Sequence, residues 1–422
     1  MLVFISDLHL TDGSSGETIN AGAFRKFTTV VGEMVEKAKA DSLEIVFLGD
    51  IFDVIRSSVW STTTIRPWSG PKGKDGSGRT LEDITNEIVD QIMANQTNID
   101  SMNYLKSFAD QMRQTDKQTG SGQKEVKFTY VIGNHDWLIN RFEGARVKIA
   151  KFLGADPDHF KKNLYPEEKY APEYKVFGRH GDLYDNFNYD AERDASSLGD
   201  AIVIELLNKF PFEVQKVIGN NSDKELIESL KEIDNVRPLL DAPMWLYGAC
   251  NRAKDSATAS KVKSVWNRMV DDFLDNGFVK EHDKKWRFDT VDFLGIALKV
   301  SQNISMRDLT KLPLKYLNIG ESGYGEKAYE ERYLKNRSVD YIVYGHTHNH
   351  SVQPLDQVQM ENGRSINQIY FNTGTWRKVL RRTSYDKNNF EFIGWKVMTF
   401  LTFYLPEERG DYRYEVWSGV LG

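Results

Sequence analysis

The sequence predicts an α/β layered fold interrupted by a mostly helical insertion. Three observations lead there. Short apolar strand-type runs alternate with helical periodicity up to residue 181; between 182 and 338 the strand runs fade and helical spacing dominates; from 339 to 422 the strand runs return. Alternating strands and helices bury their apolar faces by stacking in layers. Residues 1–181 and 339–422 therefore read as two parts of one core, and 182–338 as a cap inserted into it.

The elements follow in order. Leu2 to Ile5 is a strand-type run, and Phe24, Phe27, Val31, Met34, Val35 and Ala38 recur at helical spacing. Glu44 to Leu48 predicts a second strand, stopped by Gly49. Residues 57–80 are rich in Ser, Thr, Gly, Pro and Lys and predict a mobile loop, whose Trp60 and Trp68 either close over a ligand or tuck onto the core. Asp83 to Gln114 predicts one long amphipathic helix; Lys127 to Ile132 and Glu173 to Phe177 predict two more strands. In the insertion, Ala201 to Leu207, Lys224 to Ile233 and the stripe Val262, Val265, Trp266, Met269, Val270, Phe273 and Leu274 read as helices. Tyr341 to Tyr344, Gln368 to Phe371 and Trp395 to Phe400 return to strands.

Composition narrows the function classes. The chain has 422 residues, 40% hydrophobic and 27% charged, with a net charge of −6. That excludes a collagen, a coiled-coil rod and a largely disordered chain. The single cysteine, Cys250, excludes an internal disulfide and a Cys-cluster zinc site, so any metal must be held by His, Asp, Glu or Asn. No apolar run approaches the roughly 18 residues of a membrane span, and the N-terminus lacks the basic and apolar regions of a signal peptide. A reducing cytoplasm is the expected setting. The acidic balance, including that of the insertion, disfavours broad nucleic-acid binding.

Five polar blocks each follow a strand-type run: Asp7-Leu8-His9, Gly49-Asp50-Ile51-Phe52-Asp53, Gly133-Asn134-His135-Asp136, Arg179-His180-Gly181-Asp182 and Gly345-His346-Thr347-His348. Five of the eight histidines lie in them. Sites in open α/β sheets form beyond the carboxyl ends of strands, so the five blocks are expected to meet in one cleft. Carboxylate, imidazole and amide oxygen suit manganese first, with iron or zinc as alternatives. Asp-x-His and His-x-His, read as extended segments, put two donors on one side. With Asp50, Asn134 and His180 the donors are too many for one tetrahedral ion and fit two ions sharing a carboxylate. Two ions about 3.5–4 Å apart suit phosphoryl transfer to a water activated between them. His135 is placed to stabilise the transition state or protonate the leaving oxygen, with Asp136 holding its ring.

In this order the blocks resemble the five signature motifs of the calcineurin-like metallophosphoesterase superfamily, D-x-H, G-D-x-x-D, G-N-H-D/E, a lone H and G-H-x-H, over residues 1–180 and 340–400. The resemblance implies a four-layer αββα sandwich and a metal-dependent phosphoric ester hydrolase. It implies one metal on Asp7, His9, Asp50 and His348, and another on Asp50, Asn134, His180 and His346. It gives His135 the transition-state role, with Asp136 and Asp53 supporting it. Asn372-Thr373-Gly374-Thr375-Trp376 is similar to a segment that follows the last motif in many members. Phe4-Ile5-Ser6-Asp7-Leu8-His9-Leu10 and His180-Gly181-Asp182 also resemble bacterial UDP-diacylglucosamine hydrolases, which carry Arg where this chain has His135.

The expected substrate is a phosphorylated small molecule or nucleotide, cleaved at a phosphomonoester, phosphodiester or pyrophosphate bond. A nuclease of the superfamily's exonuclease branch, which shares Gly-Asp-x-Phe-Asp and Gly-Asn-His-Asp, is the alternative, and a non-catalytic scaffold of the same fold the rival from another class. Arg56 and Arg377 are assigned to substrate phosphate; Lys378, Arg381 and Arg382 beside Arg377 share that assignment or form a basic edge strand. His159 and His282 are read as solvated, and His350 as a rim residue.

Overall fold

The computed structural model describes residues 1–70, 72–114, 124–219, 223–237, 241–282, 323–359, 363, 365–383 and 391–421. Eleven strands fall among them: β1 (Leu2–Ile5), β2 (Ser42–Leu48), β3 (Glu125–Val131), β4 (Glu168–Ala171), β5 (Val176–Arg179), β6 (Tyr341–Tyr344), β7 (Ser351–Gln359), β8 (Ser365–Asn372), β9 (Lys378–Arg382), β10 (Phe392–Phe403) and β11 (Tyr414–Val420). They form two mixed sheets. One is six-stranded, in the order β11-β10-β1-β2-β3 with β9 paired to β10; the other is five-stranded, in the order β4-β5-β6-β8-β7. Within the first, β1, β2 and β3 run parallel. Within the second, β5, β6 and β8 do.

Period-two alternation explains the layering. Leu2, Phe4, Val46 and Leu48 face the second sheet and pack with Val176, Val343, Ile369 and Phe371. Their alternates Val3, Ile5, Ile45 and Phe47 face the other way, into a core with Phe24, Phe27 and Val31 of the first long helix, α1 (Ala21–Ala38). On the far side of the second sheet, Ile342, Tyr344 and Phe177 meet Tyr324, Ala328 and Leu334 from two short helices. The molecule is thus an α/β sandwich, two sheets packed face to face with helices outside each.

Several elements differ from the sequence reading, each for a local reason. The helix expected over Asp83 to Gln114 is two helices, α2 (Leu81–Ala94) and α3 (Gln96–Arg113). Asn95 takes an extended backbone and caps α3 by accepting from the Thr97 amide at 3.0 Å. Of the strand expected over Glu173 to Phe177, the first three residues form the turn between β4 and β5, Lys175 being left-handed at φ 61°. The loop over 57–70 and 72–80 is anchored at both tryptophans. Trp60 is fully buried and donates to the Val54 carbonyl at 3.0 Å, and Trp68 stacks on Phe278 of the insertion at 4.5 Å.

The insertion is helical where it is described, its longest helix running Ser256–Leu274 with the expected stripe buried. Its described part packs into the main core. Its Leu207, Phe210, Trp245 and Trp266 belong to the same apolar core as Trp60, Ile84 and Phe24. Asn208 donates to the Ile55 carbonyl at 2.8 Å and accepts from Ser15 at 3.1 Å. Residues 283–322, in the C-terminal half of the expected cap, lie outside the described residues. Among the described residues no helix is long and apolar enough to cross a membrane.

Candidate metal centre

All five polar blocks lie at the carboxyl ends of parallel strands, where backbone pairing ends and side chains from neighbouring strands converge. The backbone there is unusual. Among the described residues ten non-glycine residues have positive φ, and five of them are Asp7, His9, Asp50, His346 and His348. Non-glycine residues pay a steric cost in this region, and such strain gathers where function requires a set direction. The Asp-x-His and His-x-His pairs are therefore not extended; left-handed residues, not strand alternation, aim them inward.

The glycines of the blocks are close-packing sites. A Cβ on Gly49 would lie 2.4 Å from the His180 ring, one on Gly133 2.4 Å from an Asp50 oxygen, and one on Gly345 2.5 Å from an Asp7 oxygen. Each gives one block room for a metal-ligand-type side chain of another.

Three groups of donors result: Asp7, His9 and His348; His9, Asp50 and His135; and Asp50, His180 and His346, each with one ligand-type atom per residue and all within 4.8 Å of one another. His9 links the first two groups and Asp50 the last two. The Asn134 amide oxygen joins the third, 3.0 Å from Nδ1 of His346 and 3.2 Å from Nε2 of His180. All seven residues assigned to metal thus meet in one cluster.

The outer nitrogens test whether a cation fits. His9 donates through Nδ1 to Asp53 at 2.8 Å, His180 through Nδ1 to the Leu48 carbonyl at 2.9 Å, and His346 through Nε2 to Asp185 at 3.0 Å. Each bond fixes a tautomer with the other nitrogen's lone pair pointing into the cluster, as metal-ligating histidines require. Lone pairs then face oxygens: His180 Nε2 is 3.1 Å from Asp50 and His346 Nδ1 faces Asn134. Acceptors converging in a buried place need a cation between them. The donor set is hard to borderline and fits manganese, iron or zinc.

Without a metal, protons fill that need. Burial opposes charge on His180, but Asp50 more than offsets it and pushes the pKa up to about 10. Burial likewise opposes charge on His135, yet Asp53 and Asp50 raise it to about 10. Burial would raise the Asp50 carboxyl, and the histidine charges hold it well below the usual range.

Two supporting roles change. Asp53, not Asp136, holds the His135 ring, accepting from Nδ1 at 2.9 Å on one oxygen and from His9 on the other. Asp136 is fully buried and accepts from the Ile51 amide at 2.9 Å, the Gly133 amide at 2.6 Å and the Tyr130 hydroxyl. It ties the third block to the second. Burial and the charge of Asp50 push it up to about 7.

The arginines assigned to substrate are engaged elsewhere. Arg56 is wholly buried and Arg377 is 6% exposed. Both guanidinium groups lie against Asp234 of the insertion, at 3.7 and 3.1 Å, and Arg377 also donates to Asn235 at 2.8 Å. Lys378 pairs with Glu232 at 2.6 Å. His350 donates to the Asn372 carbonyl at 2.8 Å, and His282 pairs with Asp190 at 3.0 Å. The Asn372-to-Trp376 segment buttresses Asp7, its Thr375 hydroxyl donating to the Asp7 carbonyl at 2.6 Å while Trp376 packs on Phe24 and Phe27.

Sequence reading missed Asp185, Asn188, which accepts from the Asn134 amide at 3.4 Å, and Arg237. The last donates to Nδ1 of His348 at 2.9 Å. Asp185 lies three residues past the fourth block, and no spacing rule links it to His346. No protein-family model and no curated protein matches this sequence.

Proposed function

We propose that this protein is a dinuclear metal-dependent phosphoesterase of the calcineurin-like type, hydrolysing a phosphomonoester, phosphodiester or pyrophosphate bond. The observation that carries the reading is the inward-facing cluster of Asp7, His9, Asp50, Asn134, His180, His346 and His348, with Asp50 central and three histidine outer nitrogens bound to acceptors. Asp7, His9, Asp50 and His348 would hold one ion, and Asp50, Asn134, His180 and His346 the other. The two packed sheets with helices outside agree with the αββα sandwich that the resemblance implies.

Divalent ions held there would polarise phosphoryl oxygens and make water a nucleophile at neutral pH. The protein's own groups do the rest. His135 sits at the edge of the cluster, its side chain 14% exposed, and Asp53 keeps it protonated. It is placed to donate to the phosphoryl or leaving oxygen. Asp53 orients both His135 and His9, so one carboxylate couples the acid to the metal ligands.

The test is to purify the chain with manganese, count bound ions, and screen aryl phosphomonoesters and diesters, nucleotide pyrophosphates, and single- and double-stranded DNA. Two ions per chain with manganese-dependent hydrolysis of at least one class is expected. A chain that takes up no transition metal and hydrolyses none of them defeats the proposal.

A further inference from the structure

Of the four cluster histidines on the ligand side, three present their outer nitrogen to an acceptor, and the fourth does not. His348 has Nε2 turned into the cluster, 2.9 Å from His9 Nε2 and 3.4 Å from Asp7, while its Nδ1 faces a guanidinium nitrogen of Arg237 at 2.9 Å. A guanidinium only donates. An imidazole that coordinates through Nε2 carries its proton on Nδ1 and is a donor there too. The Arg237–His348 bond and coordination by His348 are therefore incompatible. Once His348 serves as a ligand, that end of Arg237 must find another acceptor beside the cluster.

Arg237 is held at that place by its surroundings. Its amide donates to the Leu380 carbonyl at 2.9 Å, and Val236 forms a parallel bridge with Leu380, which stitches this stretch of the insertion onto β9. Its other terminal nitrogen donates to the carbonyls of Asp234 and Val236 at 2.6 and 2.9 Å. The preceding Asp234 is clamped by Arg56 and Arg377. Those two arginines are spent on docking the insertion, whereas Arg237 is only half-buried, with its free end at the cluster. Asp234 draws all three guanidinium groups, while Asp53 and Asp12 also face Arg56 and Asp7 also faces Arg237.

We propose that Arg237 is a substrate-binding residue contributed by the insertion, exchanging its bond to His348 for an oxygen of the substrate's phosphoryl group. This rests on the phosphoesterase reading and deepens it. A forked donor suits a phosphate, presenting two N–H groups to two oxygens. It also gives the insertion a task at the reacting bond, binding the anion that a phosphate ester brings.

The test uses the full-length, manganese-loaded chain with inorganic phosphate as the probe, its affinity measured by calorimetry and as competitive inhibition. Arg237→Met is expected to weaken phosphate binding by roughly 10- to 100-fold while metal content and melting temperature stay near wild type. Arg237→Lys, which keeps the charge but not the fork, should fall in between. Should Arg237→Met fail to fold, Arg237→Lys decides the question. Unchanged phosphate affinity in the folded variants overturns the inference, as does a fall in melting temperature with affinity intact, which would make Arg237 a docking residue only. If wild type takes up manganese and hydrolyses an aryl phosphate while the variants bind phosphate normally, the inference alone fails. If wild type takes up no manganese, the phosphoesterase reading fails and takes the inference with it.

Discussion

His135 and its neighbours show how much single residues decide. The ring is fixed by one hydrogen bond to Asp53 and lies outside the two ligand sets assigned here. Replacing it with alanine should lower turnover by roughly 10²- to 10⁴-fold while manganese content stays near wild type; loss of both ions would contradict the role. Gly133 tests the packing. Adding a methyl group 2.4 Å from Asp50 forces either backbone or carboxylate to move, so Gly133→Ala should bind fewer than two ions and melt lower. The histidine protons predict a pH response. His135 and His180 both have folded pKa values near 10, above the roughly 6.5 of a free histidine. Their protonation stabilises the metal-free fold fully below about 6.5, and that contribution is lost as pH rises through about 10. The melting temperature of the metal-stripped chain should fall between pH 7 and pH 10, and manganese, taking the place of the His180 proton, should reduce the fall. The candidate ligand residues were legible because each block holds metal-type side chains in a short span. Asp185 and Arg237 were not, since nothing in the chain says that residue 185 returns to His346 or that residue 237 reaches His348.

At the scale of elements, strands read best and the loop over 57–80 read worst. Gly, Ser and Pro content predicts mobility, but content does not reveal that Arg66 pairs with Glu205 and that Trp68 finds Phe278. Both partners belong to the insertion. Trp68→Ala should therefore cost about 1–2 kcal/mol in denaturant unfolding rather than leave stability unchanged. Deleting Pro67 to Gly78 should lower the melting temperature, where a mobile loop would not. The Asp234 clamp makes a stronger claim. Asp234→Asn leaves Arg56 and Arg377 buried without their counter-charge, and about 3–5 kcal/mol of stability should be lost. Retention of wild-type stability would show that the insertion docks by its apolar contacts alone. The split of α2 from α3 at Asn95 was hidden because apolar spacing continues across it, while the capping turn is set by one residue's backbone.

For the whole molecule, the cluster is the point where two sheets and the insertion meet. Strand ends β1, β2 and β3 bring Asp7, Asp50 and Asn134 from one sheet, and β5 and β6 bring His180 and His346 from the other. A cation there would add to the direct bonds between the two sheets, such as that from His180 to the Leu48 carbonyl. Chelation should lower the melting temperature, and manganese at 100 times its dissociation constant should restore about 3 kcal/mol, read as a concentration-dependent shift.

The sequence by itself determined the layered α/β class and the five short blocks of metal-type side chains. These rest on local periodicity and residue chemistry, which any window of the chain carries. Only the tertiary structure decided that left-handed backbone rather than strand alternation aims the candidate ligands, that Asp53 holds His135, and that Arg56 and Arg377 bond to Asp234 while Arg237 faces His348. Those facts depend on which distant segments share space, and long-range packing, not local pattern, settles that.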